Sequence, residues 1–163
     1  VWGMKIQILN NAKKKKIVAE LADLGLKKIP ELLVRTGKER IRAYSGDLST
    51  EQIMEIWRML PIEGIGLYAG KETINRNGVR EVRLSVDGMH VWKEQLTDRI
   101  FVLDEAQEKE WFLGKNIELD DDQGLGAGFV SVKAGEDFVG MGKIGVDGDM
   151  LYGFLPKERR RRN

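Results

Sequence analysis

The densest group of side chains suited to ligand binding lies near the C-terminal end of the chain. Residues 157–162 contain five basic side chains and one acidic one. Lysine and arginine neutralise phosphates, and the planar arginine fork also donates two parallel hydrogen bonds to one phosphate. We therefore predict a polyanion-binding segment made of Lys157, Arg159, Arg160, Arg161 and Arg162. A solubilising, disordered tail is the alternative explanation of the same composition.

The sequence predicts no catalytic centre. The glycine-rich run 124–128 lacks the spacing of a dinucleotide-binding loop and leads into a strand, so it is interpreted as a flexible loop. The consecutive carboxylates Asp120–Asp122 match no calcium-loop spacing and are interpreted as a solvated loop. His90, the only histidine, has no nucleophilic pattern nearby, which favours a structural or surface role. Without cysteine there is no thiol nucleophile or cysteine metal site. We expect a non-enzymatic protein that holds no metal or cofactor.

Charge is strongly segregated along a chain whose formal net charge is only +1. Residues 11–42 hold ten basic and four acidic side chains, whereas residues 104–122 hold eight acidic and two basic ones. The run Lys13–Lys16 opens a predicted helix, and a solvated helix end is favoured over phosphate contact. No apolar run approaches the roughly 18 residues of a membrane helix. Together with the absence of cysteine, this predicts a cytoplasmic protein without membrane contact.

Helices and strands alternate in the predicted first half. Their bounds are a helix Lys13–Leu24 capped by Gly25, a short helix from Pro30 to before Gly37, a strand Arg40–Tyr44, a helix opened by a Ser49–Gln52 capping box and ended by Pro61, and a strand Ile62–Ala69. Asn77-Gly78 then predicts a tight hairpin turn before a strand through Val82 and Leu84.

Short strands dominate the predicted second half. They are Arg99–Leu103, Asn116–Leu119, Gly128–Lys133, Phe138–Ile144 and Met150–Phe154. A helix opened by the capping pair Asp104 and Gln107 runs through Trp111 and ends at Gly114. Strands of this number and length favour a small barrel or sandwich whose end is plugged by the preceding helix.

Several blocks of the second half carry a family pattern. Phe112-Leu113-Gly114-Lys115 joins the helix to a strand, and Phe129–Lys133 with Phe138–Lys143 forms a hairpin whose second strand reads G-x-G. These blocks resemble the PUA domain, a small RNA-binding pseudobarrel found in pseudouridine synthases, archaeosine transglycosylases and RNA methyltransferases. Arg83–Gly88, Ile100–Glu105 and Pro156–Arg160 are similar to the PUA region attached to Sun-type RNA cytosine methyltransferases.

The resemblance implies an α+β fold in two parts. Residues 4–76 would form a small N-terminal α/β domain of the pre-PUA kind, residues 77–160 the PUA β-pseudobarrel, and residues 161–163 a basic tail. The chain lacks room for a cofactor-binding methyltransferase domain and lacks the cysteines that those enzymes use. We therefore expect a free-standing PUA protein of the kind seen in ribosome biogenesis.

The function implied by the resemblance is non-catalytic RNA binding. The expected partner is ribosomal or transfer RNA, held during modification or ribosome maturation for a separate RNA methyltransferase. In the family, the helix-to-strand corner and the neighbouring strands contact RNA, which implies roles for Gly114, Lys115 and Lys143. The alternative is a protein-interaction module without direct RNA contact. Its first domain and Lys13–Lys16 would then dock onto a ribosome-assembly factor or the methyltransferase.

Overall fold

The computed structural model describes residues 5–59 and 65–161 and shows a mixed α and β protein. In these residues the strands form two five-stranded sheets, and the chain divides into two compact units. The first unit consists of the described residues within Val1–Ala22 and Lys27–Gly88, and the second of those within Asp23–Leu26 and Met89–Asn163. The α+β class predicted from the sequence is confirmed.

The sheet of the first unit is an antiparallel meander in which each strand pairs with the next one along the chain. Its strands are β1 (Ile6–Ile8), β2 (Leu32–Thr36), β3 (Arg40–Tyr44), β4 (Leu67–Ile74) and β5 (Arg80–Leu84). Helix α1 (Asn11–Glu20) packs against β5, and helix α2 (Thr50–Met59) packs against β1. Both helices therefore contribute to the core, through buried residues such as Ile17 and Ile53.

Local signals in the first unit are confirmed where a cap or a turn specifies the backbone. The predicted first helix ends earlier than expected, at Glu20, and a 3-10 turn then leads to Gly25, at φ +103°, in the short stretch that belongs to the second unit. The Ser49 and Gln52 capping box is present, since each residue's backbone N–H donates to the other's side chain. The hairpin turn is also present, with Gly78 at φ +77° between β4 and β5.

The short helix predicted from Pro30 is wrong. Residues Leu32–Thr36 form β2, which pairs with β1 on one side and β3 on the other. Leu33 and Val34 are fully buried, one on each face of the sheet. Pairing and burial outweigh the preference of proline for a first helical turn. Pro61 and the first residues of the predicted strand Ile62–Ala69 lie outside the described residues, and β4 begins at Leu67.

The strand after the hairpin turn belongs to the first sheet. Sequence reasoning grouped residues 77 onward with the second domain, but β5 pairs along its whole length with β4. Helix α3 (Val86–Val91) follows β5, and the first compact unit extends to Gly88. A hairpin joins its two strands through neighbouring hydrogen bonds, so a boundary inside its turn would have left β5 without its partner.

The second unit contains a mixed sheet in the order β6-β8-β9-β10-β7. Its elements are β6 (Ile100–Leu103), α4 (Glu105–Phe112), β7 (Ile117–Glu118), β8 (Gly128–Ala134), β9 (Asp137–Ile144), β10 (Met150–Gly153) and a 3-10 turn (Lys157–Arg159). Only β6 and β8 run parallel among the pairs of this sheet, and the others are antiparallel. All five strands predicted for this half are confirmed.

Trp111 of α4 lies at the centre of the second unit. Its side chain is only 1% exposed, and its indole N–H donates to the Val139 carbonyl at 3.2 Å. A Cβ on Gly153 would lie 2.8 Å from the indole, and one on Gly140 would lie 3.0 Å from it. The two glycines therefore make room for the ring, which docks α4 onto the sheet.

We expect Trp111→Ala to lower the free energy of unfolding by about 3–5 kcal/mol, because it removes a buried indole and leaves a cavity. Urea denaturation followed by circular dichroism measures the change. The control is Val146→Ala, at a residue that is 93% exposed in the same unit, with an expected change within about 0.5 kcal/mol. Equal losses in both variants would contradict the central role of Trp111.

Tyr68 on β4 gives the first unit a measurable response to alkaline pH. Burial raises the pKa of its phenol above the usual 10.0, and the Arg40 guanidinium, 5.7 Å from the ring centroid, opposes part of that rise. The folded state thus favours the neutral phenol. Its contribution to stability is fully present below the unfolded pKa and is lost as the pH rises through the folded one.

Tyr68→Phe should therefore show a smaller loss of stability than the wild-type protein as the pH rises above about 10. Urea denaturation of both proteins across this pH range measures the difference, and the common titration of the other tyrosines cancels in the comparison. Parallel stability curves for the two proteins would show that Tyr68 is not the responsible group.

Candidate nucleic-acid interface

Helix α4 positions the predicted RNA-binding corner. Asp104 accepts a hydrogen bond from the Gln107 N–H, and the Gln107 side chain accepts one from the Asp104 N–H, so the predicted capping box is confirmed. This cap fixes the start of α4, and the burial of Trp111 fixes its orientation on the sheet. The end of α4 is consequently held in a defined place.

The helix ends in a Schellman motif that projects Lys115 outward. The Gly114 N–H donates to the Trp111 carbonyl at 2.9 Å, and the Lys115 N–H donates to the Glu110 carbonyl at 3.1 Å. Gly114 adopts φ +79°, a left-handed conformation that glycine enters without steric cost. The Lys115 side chain is exposed directly after this turn.

The C-terminal segment folds back onto this corner. The Arg161 N–H donates to the Phe112 carbonyl at 2.6 Å, and the Arg161 guanidinium lies 4.9 Å from the centroid of the Phe112 ring. The Arg160 Nε–H donates to the Leu155 carbonyl at 3.0 Å. The segment is therefore ordered through Arg161, in contrast to the disordered-tail alternative. Arg162 lies outside the described residues.

Arg160 covers Gly114. A Cβ on Gly114 would lie 2.5 Å from both Cδ and Nε of Arg160. Glycine is favoured here because of its left-handed backbone, and a Cβ at this position would also displace the Arg160 side chain. The family resemblance implied a role for Gly114 in RNA contact. The structure places Arg160 in the space, and Lys115 remains the exposed residue of the turn.

Four basic side chains are exposed around the contact between Gly114 and Arg160. They are Lys115, Lys157, Arg159 and Arg161. We call them, together with Gly114 and Arg160, the basic corner. Glu158 is the only carboxylate within residues 157–161. The structure therefore brings two groups that were predicted separately, the helix-to-strand turn and the basic segment, into one site.

Lys143 lies on a different element from the basic corner. It is on β9, where it pairs with Phe129 of β8 and Tyr152 of β10, so the three side chains share one sheet face. Its ammonium lies 5.1 Å from the centroid of the Phe129 ring. The contacts that join Gly114, Arg160 and Arg161 do not include it.

Sequence reasoning missed the aromatic character of this face. Phe129 and Phe154 lie with ring centroids 6.0 Å apart, and Tyr152 is 43% exposed. The signal was present in the alternation of β8 and β10, where every second residue shares a face. Assigning that face required the register of the two strands against β9, which local patterns do not supply.

Arg99 was also missed, and it explains the glycine-rich run. Its guanidinium donates to the carbonyls of Leu125, Gly126, Ala127 and Phe129 at 2.6–3.2 Å. Asp122 accepts hydrogen bonds from the backbone N–H groups of Gly124 and Gly126. The loop predicted to be flexible is therefore held from both sides, with its carbonyls already bonded to a cation.

The other residues considered for chemistry have structural contacts. His90 Nε2–H donates to the Phe138 carbonyl at 3.1 Å, which assigns the proton to that nitrogen. Asp121 accepts a hydrogen bond from the Gln123 N–H. The described residues contain no group of three or more histidine, cysteine or acidic side chains placed to hold a metal ion. Among the described helices, none has the length and apolar character needed to span a membrane.

Sequence comparison does not assign the chain to a family. No family model matches the chain, and no curated protein matches its sequence.

Gly114→Ala should detach the C-terminal segment from the corner. The substitution forces an alanine into a left-handed conformation, at a cost of about 1–2 kcal/mol, and also places its Cβ against Arg160. Hydrogen exchange of the Arg161 amide, which is bonded to Phe112, should become faster.

Gly126→Ala is the matched control for this substitution. Gly126 has a similar φ of +73°, but a Cβ there would meet no atom within 4 Å. The Gly126→Ala variant therefore has the same cost of a left-handed alanine but no steric clash with another side chain. If Arg161 exchanged at the same rate in both variants, the packing of Arg160 on Gly114 would not hold the segment.

Proposed function

We propose that this chain is an RNA-binding protein and that its second unit is a PUA-like pseudobarrel. The order helix, left-handed glycine, lysine and strand at α4 to β7 supports the likeness, as does the β8–β9 hairpin with glycines at 140 and 142. The ligand would be ribosomal or transfer RNA, presented to a separate RNA methyltransferase or ribosome-assembly factor. The protein itself would perform no catalysis.

The observation that carries the proposal is the folded C-terminal segment. Phosphates repeat along an RNA backbone, so a binding site needs several cations held at defined separations. Packing of Arg160 on Gly114 and of Arg161 on Phe112 holds the basic corner in this way. A disordered tail would lose more conformational entropy when it bound.

The roles within the basic corner differ. Lys115 and Arg161 are exposed and would contact phosphates, with Lys157 and Arg159 beside them. Arg160 and Gly114 would act by positioning the segment. Lys143, with the exposed ring of Tyr152 as its neighbour, would serve a second part of the same RNA, where an unstacked base meets an aromatic face.

Replacing Lys115 and Arg161 together by glutamine should weaken RNA binding about tenfold at moderate salt, since two phosphate contacts are lost. The slope of log affinity against log salt should become shallower by about 0.7–0.9 for each contact. Fluorescence anisotropy with a short labelled RNA across a salt series measures both quantities.

Two controls separate charge from structure in this experiment. Arg161→Lys keeps the charge and should keep most of the salt slope, although it removes the guanidinium from Phe112. Replacement of the exposed Lys38 and Lys93 by glutamine removes the same total charge elsewhere. If that pair weakened binding as much as the corner pair, binding would be a general charge effect and the proposed site would be refuted.

A further inference from the structure

A second group of cations converges in the first unit. A cavity of about 300 Å³ is lined by Lys13, Lys16, Arg35, Glu72 and Arg80. Four of these five side chains are basic, so the lining carries a formal charge of +3. We call this set the α1 cluster, and nothing in the function proposed above uses it.

The sheet register explains how the two arginines meet. Arg35 of β2 pairs with Ile41, which pairs with Gly70, two residues before Glu72. Glu72 pairs with Val82, two residues after Arg80. Side chains two residues apart in a strand share a face, so Arg35, Glu72 and Arg80 lie on the same face of the sheet.

Glu72 holds the two guanidinium groups with one oxygen. Its Oε1 lies 3.2 Å from Arg35 Nη2 and 3.1 Å from Arg80 Nε. The Glu72 side chain is only 10% exposed, whereas the Arg80 side chain is 50% exposed, so the arrangement opens to water on the Arg80 side. One carboxylate thus pairs with two guanidinium groups. These three side chains together carry a formal charge of +1, to which the two lysines add.

Arg35 retains a donor that the described part of the chain does not use. Its Nε–H is buried and has no hydrogen-bond partner there. A buried N–H without an acceptor costs free energy, because it has lost water and gained nothing in exchange. Arg35 also lines the cavity, so one of the arginines of the α1 cluster has hydrogen-bonding capacity that the described residues do not use.

Helix α1 adds positive charge on the other side of the cavity. Lys13 and Lys16 are three residues apart and therefore neighbours on one side of the helix. Lys13 stands in the first turn of α1, where the positive end of the helix dipole disfavours lysine, and Lys16 lies about one turn further along. A bound anion would reduce the repulsion between the two lysines and the repulsion between Lys13 and the helix dipole. The placement of the lysines, which is unfavourable without a ligand, would then become favourable.

We propose that the α1 cluster is a binding site for a phosphate group. A phosphate presents several oxygens to several donors at once, which suits an arginine fork and two ammonium groups better than the two oxygens of a carboxylate do. The cavity is at the small end of ligand sites, which fits one phosphate and its immediate substituent. The group would come either from an RNA backbone or from a free phosphate compound.

NMR of the nitrogen-labelled protein tests the site directly, through the side-chain Nε–H signal of Arg35. Pyrophosphate and a short single-stranded RNA are titrated separately. A saturable shift of this signal by either probe supports the site. Saturation by RNA at a lower phosphate concentration than by pyrophosphate identifies a polynucleotide as the source, and the reverse order identifies a free phosphate compound. No shift with either probe overturns the proposal.

Lysine variants give the matched comparison. Lys13→Gln with Lys16→Gln removes both lysines of the cavity and should weaken the responding probe at least about fivefold. Lys14→Gln with Lys15→Gln removes the same charge from the same helix outside the lining and should leave the affinity nearly unchanged. Equal weakening by both pairs would mean that the helix attracts anions without a defined site.

The site is separable from the basic corner. The same titrations in the Lys115→Gln, Arg161→Gln protein should leave the Arg35 shift with pyrophosphate unchanged, because pyrophosphate needs no second contact. Loss of this shift in the corner variant would refute an independent site in the first unit. A retained shift with lost RNA affinity would support both sites, and a retained shift with unchanged RNA affinity would support the α1 cluster alone.

Discussion

Burial of the Trp111 indole is the contact on which the second unit depends. The ring fills space left by Gly140 and Gly153, and its N–H satisfies the Val139 carbonyl. Because the ring fixes α4 against the sheet, it also fixes Gly114, which lies three residues after Trp111. The C-terminal segment then has a defined surface to pack on. The basic corner is thus an indirect product of an apolar contact.

Both clusters of positive charge face the same physical difficulty. Cations placed together repel each other, and the fold has to hold them with contacts of another kind. In the basic corner the holding contacts are backbone hydrogen bonds, the packing of Arg160 on Gly114 and the ring of Phe112. In the α1 cluster the Glu72 carboxylate holds the two arginines. A bound phosphate group would reduce the remaining repulsion in both places.

The proposed function depends mainly on the two clusters of basic residues. RNA is a long polyanion, and under the proposed function each cluster would supply phosphate contacts of its own. The glycine-rich loop, the aspartate run and His90 are bonded within their own unit, so they do not compete with these clusters as ligand sites. The proposed ligand sites of the described residues are therefore two groups of cations and, on a separate sheet face, the aromatic residues beside Lys143.

The sequence by itself determined the features that depend on near neighbours. Capping boxes at Ser49 and Asp104, helix-ending glycines such as Gly114, and the short strands of the second sheet depend on signals within a few residues, and each was predicted. Tertiary structure decided what depends on distant partners. Pairing with β1 and β3 made a strand of residues 32–36, where proline had indicated a helix. The register of the strands in the first sheet brings Arg35 and Arg80 to the Glu72 carboxylate. The C-terminal segment folds back and places Arg160 on Gly114. The Arg35–Glu72 and Gly114–Arg160 contacts join residues about 37 and 46 positions apart, and no local pattern encodes them.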